Sequence, residues 1–369
     1  MADEVRATGL GPASADPKGL RRGRRSPYSL PGRPGGGFDA SSATYAALDL
    51  GTNNCRLLVA RPTRDGFRVI DAFSRIIRLG EGITSSGRLS DAAMARAVDA
   101  LRVCRGKMRN RGVTRARLIA TEACRSAANG QGFLDLVREE VGIELEVVDR
   151  ETEARLAATG CTPLVDPASS GVILFDIGGG SSELVRLGRT VPTAHGPPHP
   201  EIDAWVSIPM GVVTLAERHG GIDVSRETFA TMIDEVYEYV HHFVAKHGGG
   251  IDGLHLLGTS GTVTTIAGVY LELPRYERRR VDGCWMSDTQ VSGVVERLLA
   301  MSYQDRVANP CIGAERADLV LAGCAILEAI RRAFPCERLR IADRGLREGM
   351  LVQMMREDQV WSAPGRASS

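Results

Sequence analysis

LFDIGGGSSE, residues 174–183, is the stretch of sequence that decides the fold. In it an apolar run ends at Asp176 and is followed by three glycines and two serines. An apolar run ended by glycines predicts a buried strand that enters a tight turn. Glycines in such a turn let backbone N–H groups converge on an anion, and an acid at the strand end suits a divalent cation beside that anion. The stretch therefore predicts a metal-binding carboxylate at Asp176 and a phosphate cradle at Gly178, Gly179, Gly180 and Ser181.

The same pattern occurs earlier in the chain, as ALDLGTNN at residues 47–54. Asp49 has the place of Asp176, so we expect it to contact the metal through water, with a turn-capping aspartate as the alternative. A single turn of this kind is often a plain hairpin, but two in one chain indicate a duplicated fold that clamps a polyphosphate between two halves. The first copy adds four predicted phosphate ligands: Gly51, Thr52, Asn53 and Asn54.

Length and composition are typical of a globular protein. The 369 residues suffice for two domains, and a net charge of +1 gives no reason to expect binding to nucleic acid or membranes. The eight cysteines show no C-x-x-C spacing, which favours free thiols in a reducing compartment. No run approaches the ~20 apolar residues of a membrane span, and the N-terminus lacks an apolar signal core. We therefore expect a cytoplasmic protein that binds no membrane and no specific nucleic acid.

Strand and helix patterns alternate along the chain, which predicts an α/β protein. Residues 1–43 are rich in Gly, Pro, Ser and Arg and predict a disordered tail. We place a first domain at 44–165 and a second at 166–344. A helix at 345–357 could pack back on the first domain, and 358–369 would form a flexible tail.

Three predicted helices have well-defined ends. Ser90 is expected to cap a helix that runs to about Met108. Ser287 and Gln290 match the spacing of a capping box at the start of another helix. A long amphipathic helix is predicted at about 314–334.

Six motifs together resemble those of the exopolyphosphatase/guanosine pentaphosphate phosphohydrolase (Ppx/GppA) family. They are ALDLGTNN, ATEACRSAAN at 120–129, ETEARL at 151–156, FDIGGGSSEL at 175–184, GTSGTVT at 258–264 and DRGLREGM at 343–350. That family belongs to the actin–sugar kinase–heat-shock ATPase superfamily. The resemblance therefore implies two duplicated ribonuclease H-like (actin-like ATPase) domains with a cleft between them.

The resemblance also implies an activity. Members of the family cleave the terminal phosphate of inorganic polyphosphate or of guanosine pentaphosphate with magnesium. Their catalytic glutamate lies in a Gly-x-Glu-Glu-Ala-Arg pattern, whose second glutamate matches Glu153. Here the glycine of the pattern is Arg150 and its first glutamate is Thr152. Arg125 resembles the family's arginine in its segment and is expected to bind phosphate, with a surface salt bridge as the alternative.

Phosphoanhydride hydrolysis needs a group that orients or deprotonates water, together with cations for the phosphoryl oxygens. We expect Glu153 to act on the water and Asp176 to help hold Mg²⁺ against the terminal phosphate. The alternative for Glu153 is a carboxylate that only complements the helix dipole.

Three classes of function remain open. The preferred one is a magnesium-dependent exopolyphosphatase, with guanosine pentaphosphate hydrolysis as its close alternative. A kinase or ATPase of the same superfamily is the second class, and a non-catalytic polyphosphate or nucleotide sensor is the third. The expected partner is the polyphosphate or guanosine pentaphosphate substrate, and a homodimer is plausible for the family.

Overall fold

The computed structural model describes residues 43–190, 193, 196–247 and 252–361. The predicted N-terminal tail, except its last residue, and most of the predicted C-terminal tail lie outside the described residues. Residues 358–361 of that tail lie within the described residues, and two hydrogen bonds connect them to the first half of the chain. The Tyr45 hydroxyl donates to Asp358 over 2.8 Å, and the Trp361 indole donates to the Thr63 carbonyl over 2.8 Å.

Strands and helices alternate along the described chain. The strands are β1 (Tyr45–Leu50), β2 (Asn54–Thr63), β3 (Gly66–Ile76), β4 (Arg115–Ala120), β5 (Glu146–Val147), β6 (Gly171–Ile177), β7 (Ser182–Leu187), β8 (Ile202–Ile208), β9 (Leu254–Thr259), β10 (Trp285–Ser287) and β11 (Arg338–Ala342). The helices are α1 (Ile83–Ser86), α2 (Asp91–Asn110), α3 (Glu122–Ser126), α4 (Gly130–Val141), α5 (Arg150–Cys161), α6 (Val212–His219), α7 (Arg226–His247), α8 (Gly261–Tyr270), α9 (Arg278–Val281), α10 (Asp288–Ala300), α11 (Tyr303–Ala308), α12 (Val320–Ala333) and α13 (Leu346–Glu357).

The two halves of the chain repeat one topology. Strands of the first half form a sheet in the order β3-β2-β1-β4-β5, and strands of the second half form one in the order β10-β11-β9-β6-β7-β8. In each sheet three strands form an antiparallel meander, and two later strands add in parallel beside the first strand of that meander. In the second sheet the edge strand β10 then pairs antiparallel with β11. The α/β class and the duplicated ribonuclease H-like, actin-like arrangement are therefore confirmed.

The first strand of each meander ends at the cleft between the halves. β1 and β6 are buried along almost their whole length, as their near-continuous apolar sequences predict. Their partly exposed positions are Asp49 and Asp176, each the penultimate residue of its strand. Ligands of open α/β sheets bind at the carboxyl ends of strands, and each half presents one carboxylate there.

The helix that follows each sheet packs on the opposite sheet. α5 follows the first sheet but buries Ala154, Ala158 and Cys161 against β6 and β7. α13 follows the second sheet but packs against β1. The two helices touch at Gly349, where a Cβ would lie 1.9 Å from the Leu156 carbonyl oxygen. Glycine is needed there for this approach, which places the start of α5 between the halves.

Two of the three helix predictions agree with the structure, and the third is wrong at its start. Ser90 caps α2, and Ser287 caps α10 in a capping box. The helix predicted to begin near 314 begins at Val320. Two earlier carbonyls are already hydrogen-bonded outside the helix: Arg306 donates to that of Ala317 and Arg78 to that of Glu315. Residues 314–319 therefore form turns.

Helices that cross membranes need a long apolar segment, and none in the described part of the chain has one. All eight cysteines lie within the described residues, and all are free thiols.

Candidate active site

A cleft of about 830 Å³ lies between the two sheets and brings the sequence motifs together. Its walls are the two hairpin turns, the first turn of α5, the turn between β9 and α8, and the loop before α13. Every predicted site residue except Arg125 lines it: Asp49, Gly51, Thr52, Asn53, Asn54, Glu153, Asp176, Gly178, Gly179, Gly180 and Ser181.

The two hairpin turns are built alike and touch each other. Gly51 N–H donates to the Asn54 carbonyl over 2.9 Å, and Gly178 N–H donates to the Ser181 carbonyl over 3.0 Å. Thr52 of the first turn lies against the second, where a Cβ on Gly180 would be 3.0 Å from the Thr52 Oγ1. Backbone N–H groups of both halves therefore lie in one small region, as an anion cradle requires.

The two strand-end aspartates, Asp49 and Asp176, both have raised pKa values. Burial raises the pKa of Asp176 to about 6, with Arg56 acting in the opposite direction and Asp49 adding to the rise. Burial likewise raises the pKa of Asp49, against the opposing effect of Arg56 and Arg347. Raised values mean that the ionised carboxylates lack a full complement of positive charge, which a bound cation would supply.

Glu183 is a site residue that the sequence reasoning missed. It pairs directly with Asp176 across β6 and β7, so the two side chains share one face of the sheet. Its Oε1 accepts hydrogen bonds of 2.8 Å from the hydroxyls of Ser181 and Ser207. Burial, followed by the charge of Asp176, raises its pKa to about 7. The sequence contains a signal for it. If the glycine turn joins two antiparallel strands, Glu183 at the end of the GGGSSE segment pairs with Asp176.

Glu153 enters the cleft from the first turn of α5. The helix begins where it does because the Asp149 side chain accepts a 2.7 Å hydrogen bond from the Thr152 N–H. The Glu153 side chain is 15% exposed. Burial, and then the charge of Glu183, raises its pKa well above its ordinary range, while Arg125 opposes the rise. A carboxylate with a raised pKa is a better proton acceptor near neutral pH.

Arg125 lies behind the cleft wall and is already engaged by protein groups. Its Nε and Nη2 donate to Glu122 Oε2 over 3.1 and 2.6 Å, and its Nη1 donates to the Val148 carbonyl over 2.5 Å. Its Nη2 also lies 3.3 Å from Glu153 Oε2. The structure thus places Arg125 beside the predicted catalytic carboxylate, and phosphate binding by it stays a prediction.

Several buried polar atoms in the cleft have no partner among the described residues. The side-chain oxygens of Asn53 and Asn54 and the Ser260 hydroxyl are buried without a hydrogen bond. Ser260 also has a φ of 105°, a conformation that side chains other than glycine rarely adopt. Unpaired polar groups and backbone strain in one cleft are typical of a ligand site. No sequence pattern indicates the strain at Ser260.

Two arginines near the strand-end aspartates have no hydrogen-bonded carboxylate among the described residues. Arg56 and Arg347 both line it, and both lower the pKa of Asp49 and Asp176. Burial lowers the pKa of Arg347. Guanidinium groups left unpaired beside an anion cradle are suited to phosphate oxygens.

The carboxylates at this end of the cleft fit Mg²⁺. Asp49, Asp176 and Glu183 offer the hard oxygen ligands that this ion prefers. Within the described residues no three such side chains form a preformed metal cage. Magnesium commonly uses one or two carboxylates together with waters and substrate phosphates. The donors therefore fit an ion that is shared with a bound phosphate.

Comparisons with known proteins agree on one family. The sequence profile of the Ppx/GppA phosphatase family matches residues 58–358. The guanosine-5'-triphosphate,3'-diphosphate pyrophosphatase of Aeromonas salmonicida (strain A449) is 28% identical over 329 residues, which are 89% of this chain and 62% of that protein. Its counterpart in Aeromonas hydrophila is 27% identical with the same coverage. The chain thus spans 62% of the length of these curated relatives.

Solved structures give the same result. An exopolyphosphatase from Cytophaga hutchinsonii has a TM-score of 0.76 and 25% identity, covering 85% of this chain and 98% of that one. The Aquifex aeolicus member of the Ppx/GppA family has a TM-score of 0.70 and 26% identity, covering 86% of this chain and 98% of that one.

Proposed function

The chain belongs to the Ppx/GppA phosphatase family, and on this premise we propose that it is a Mg²⁺-dependent phosphoanhydride hydrolase. The proposed reaction releases terminal orthophosphate from inorganic polyphosphate. One observation supports it above the others: two glycine turns, paired carboxylates and Glu153 converge on a single cleft. The turns and the arginines would serve a binding module equally well, and Glu153, a largely buried carboxylate beside the paired acids, is the group that favours hydrolysis.

Each part of the cleft has a separate role in this reaction. The N–H groups of both turns bind the phosphoryl oxygens, and Arg56 and Arg347 neutralise the next phosphate along the chain. Glu153 orients the attacking water and accepts its proton. Bound Mg²⁺, held by Asp176 and Glu183, would absorb charge on the transferred phosphoryl group.

Hydrolysis of guanosine pentaphosphate is the second candidate. It is favoured by the curated relatives, which are named for that activity. The cleft also extends beyond the carboxylates, past the start of α8 to Tyr276 and Ile312, so it has room for more than a phosphate chain. The repeated anion sites and free arginines are the reason to prefer polyphosphate.

The direct test is phosphate release in the presence of Mg²⁺, with long-chain polyphosphate and guanosine pentaphosphate offered separately at equal phosphate concentration. A higher kcat/KM for polyphosphate supports the proposal, and a higher value for the nucleotide replaces it with the second candidate. Binding of either compound without release would leave the sensor interpretation. Because all eight cysteines are free, we place the reaction in the cytoplasm.

A further inference from the structure

Four charged side chains form a chain of contacts at the cleft wall, where Glu122 and Glu153 line the cleft. Arg150 donates to Glu122 through two nitrogens: Nη2 lies 2.9 Å from Oε1 and Nε lies 3.3 Å from Oε2. Glu122 in turn accepts from Arg125, and Arg125 contacts Glu153. The carboxylates and Arg125 are largely buried, with 13–19% of each side chain exposed, whereas Arg150 is 44% exposed. Arg150 is therefore the outer end of a line that ends at Glu153.

Arg150 stands where the family's pattern has glycine, so its contact belongs to this chain's own sequence. It is the first residue of α5, and its guanidinium reaches across to α3. A planar guanidinium that meets a carboxylate through two N–H groups fixes the orientation of that carboxylate as well as its distance. Glu122 is therefore held from the solvent side by Arg150 and from the protein side by Arg125.

Glu122 is the residue through which this clamp reaches the active site. Its methylene groups lie against the second hairpin turn, since a Cβ on Gly180 would be 3.0 Å from Glu122 Cγ. Burial alone would raise its pKa, but the hydrogen bonds from Arg125 and Arg150 bring that pKa below its ordinary value. An ionised Glu122 thus remains available to both arginines at neutral pH.

The orientation of Arg125 follows from these contacts. Its Nε and Nη2 are fixed by Glu122, and its Nη1 is fixed by the Val148 carbonyl. A guanidinium held at three nitrogens cannot rotate, so the second N–H of Nη2 has only one direction. In that direction lies Glu153 Oε2 at 3.3 Å.

We propose that Arg150 and Glu122 are positioning residues for Glu153, which act by fixing the guanidinium of Arg125 beside it. This inference rests on the proposed function of Glu153 as the group that acts on water. In this role the two residues act through Arg125 and not on the reacting atoms, so loss of either lowers the fraction of Glu153 in the productive orientation. That fraction affects turnover and leaves substrate binding almost unchanged.

The alternative for Arg150 is a direct contact with substrate phosphate, and kinetics separate the two roles. A phosphate-binding arginine lost to methionine raises KM. A positioning arginine lowers kcat at nearly constant KM. Lysine at 150 would keep the charge for phosphate but lose the two-pronged contact with Glu122.

The experiment measures kcat and KM for Arg150→Met, Arg150→Lys, Glu122→Gln and the double variant Arg150→Met/Glu122→Gln. Arg138→Met is the matched control, because Arg138 forms an exposed ion pair with Asp135 on α4, away from the cleft. We expect Arg150→Met and Glu122→Gln each to lower kcat about tenfold with KM changed less than about twofold. The double variant should be no slower than Glu122→Gln alone, because Arg150 acts only through Glu122.

Each of three outcomes would overturn the proposal. These are full kcat in Arg150→Lys, a raised KM in Arg150→Met, and additive losses of kcat in the double variant. A second measurement decides it even if the wild type releases no phosphate, which would be the failure of the proposed function alone. The shifts in urea midpoint caused by Arg150→Met and Glu153→Gln should be non-additive when Glu122 is present and additive in Glu122→Gln. Additive shifts in both backgrounds would contradict the positioning role independently of turnover.

Discussion

Arg56 and Glu183 occupy the same register position in the two hairpins: Arg56 faces Asp49 across β1 and β2, and Glu183 faces Asp176 across β6 and β7. The repeated hairpin therefore carries a guanidinium in one copy and a carboxylate in the other. In the proposed reaction the first copy provides a cation for phosphate oxygens. The second places two carboxylates on one face, where burial raises the pKa of both and the charge of Asp176 adds to the rise at Glu183.

This difference predicts that Glu183 sets the affinity for magnesium. In Glu183→Gln the face keeps its shape but loses one charged oxygen ligand beside Asp176. The Mg²⁺ concentration for half-maximal phosphate release should rise about tenfold or more. A magnesium titration of initial rates measures this, with exposed Glu139→Gln as the control. An unchanged titration midpoint would place the metal elsewhere.

The contact between the two turns predicts a narrow tolerance at Gly180. A methyl group there would meet both Thr52 Oγ1 and Glu122 Cγ at 3.0 Å, so both side chains must shift by a few tenths of an ångström. We expect Gly180→Ala to lose about 1–3 kcal/mol of unfolding free energy and to raise KM. Gly106→Ala is the control, because a Cβ at this exposed position in α2 meets nothing within 4 Å. It should gain about 0.5–1 kcal/mol. Urea unfolding and steady-state kinetics give both values, and equal behaviour of the two variants would refute the contact.

His255 predicts acid sensitivity that is independent of the active site. It is fully buried on β9, its ring lies 5.0 Å from that of Trp285, and neither ring nitrogen has a partner among the described residues. Burial lowers its pKa to about 4, with Asp166 opposing and Arg338 and Arg340 adding to the effect.

The lowered pKa of His255 determines how the stability of the protein changes with pH. Between the lowered folded value and the ordinary value near 6.5, the unfolded chain binds a proton that the folded chain does not. The stability contributed by neutral His255 is therefore complete above about pH 6.5 and is lost as the pH falls to about 4. The loss should amount to about 3 kcal/mol. Urea unfolding at several pH values should show this loss in the wild type and a smaller one in His255→Leu. Identical pH profiles would contradict the assignment.

Arg78 and Asp318 predict that the two walls of the cleft are held together by charge. Arg78 follows β3, Asp318 precedes α12, and their side chains meet through two contacts of 2.8 and 3.0 Å. Arg78→Met should raise KM about threefold to tenfold while kcat stays near that of the wild type, because the Glu315 carbonyl that Arg78 also binds belongs to the cleft wall. Exchanging the charges in Arg78→Asp/Asp318→Arg should recover part of the loss. A double variant worse than both single variants would show that the pair is not the connection.

The sequence predicted the parts of the site that follow from local pattern. Asp49 and Asp176 could be found because an apolar run that ends in Asp before glycines can be recognised from the sequence alone. The duplicated fold followed from the repeat of that pattern. The domain boundaries and the role of each site residue stay predictions.

The features that could not be predicted from the sequence depend on contacts between side chains from distant segments of the chain. Glu122 and Arg150 are 28 positions apart, and no periodicity relates them. The start of α12 at Val320 depends on Arg306 and Arg78, which bind carbonyls of the preceding turn from elsewhere in the chain. Helix propensity depends only on residues close in the sequence, so it cannot predict hydrogen bonds from distant side chains to these carbonyls.

The central claim is that Glu153 acts on water in a phosphoanhydride hydrolysis. The most direct measurement is phosphate release from long-chain polyphosphate by wild type and Glu153→Gln at saturating Mg²⁺, together with polyphosphate affinity. The claim predicts that Glu153→Gln lowers kcat by about 10²- to 10⁴-fold and leaves the Kd for polyphosphate within about twofold. Turnover by Glu153→Gln at the wild-type rate would contradict it.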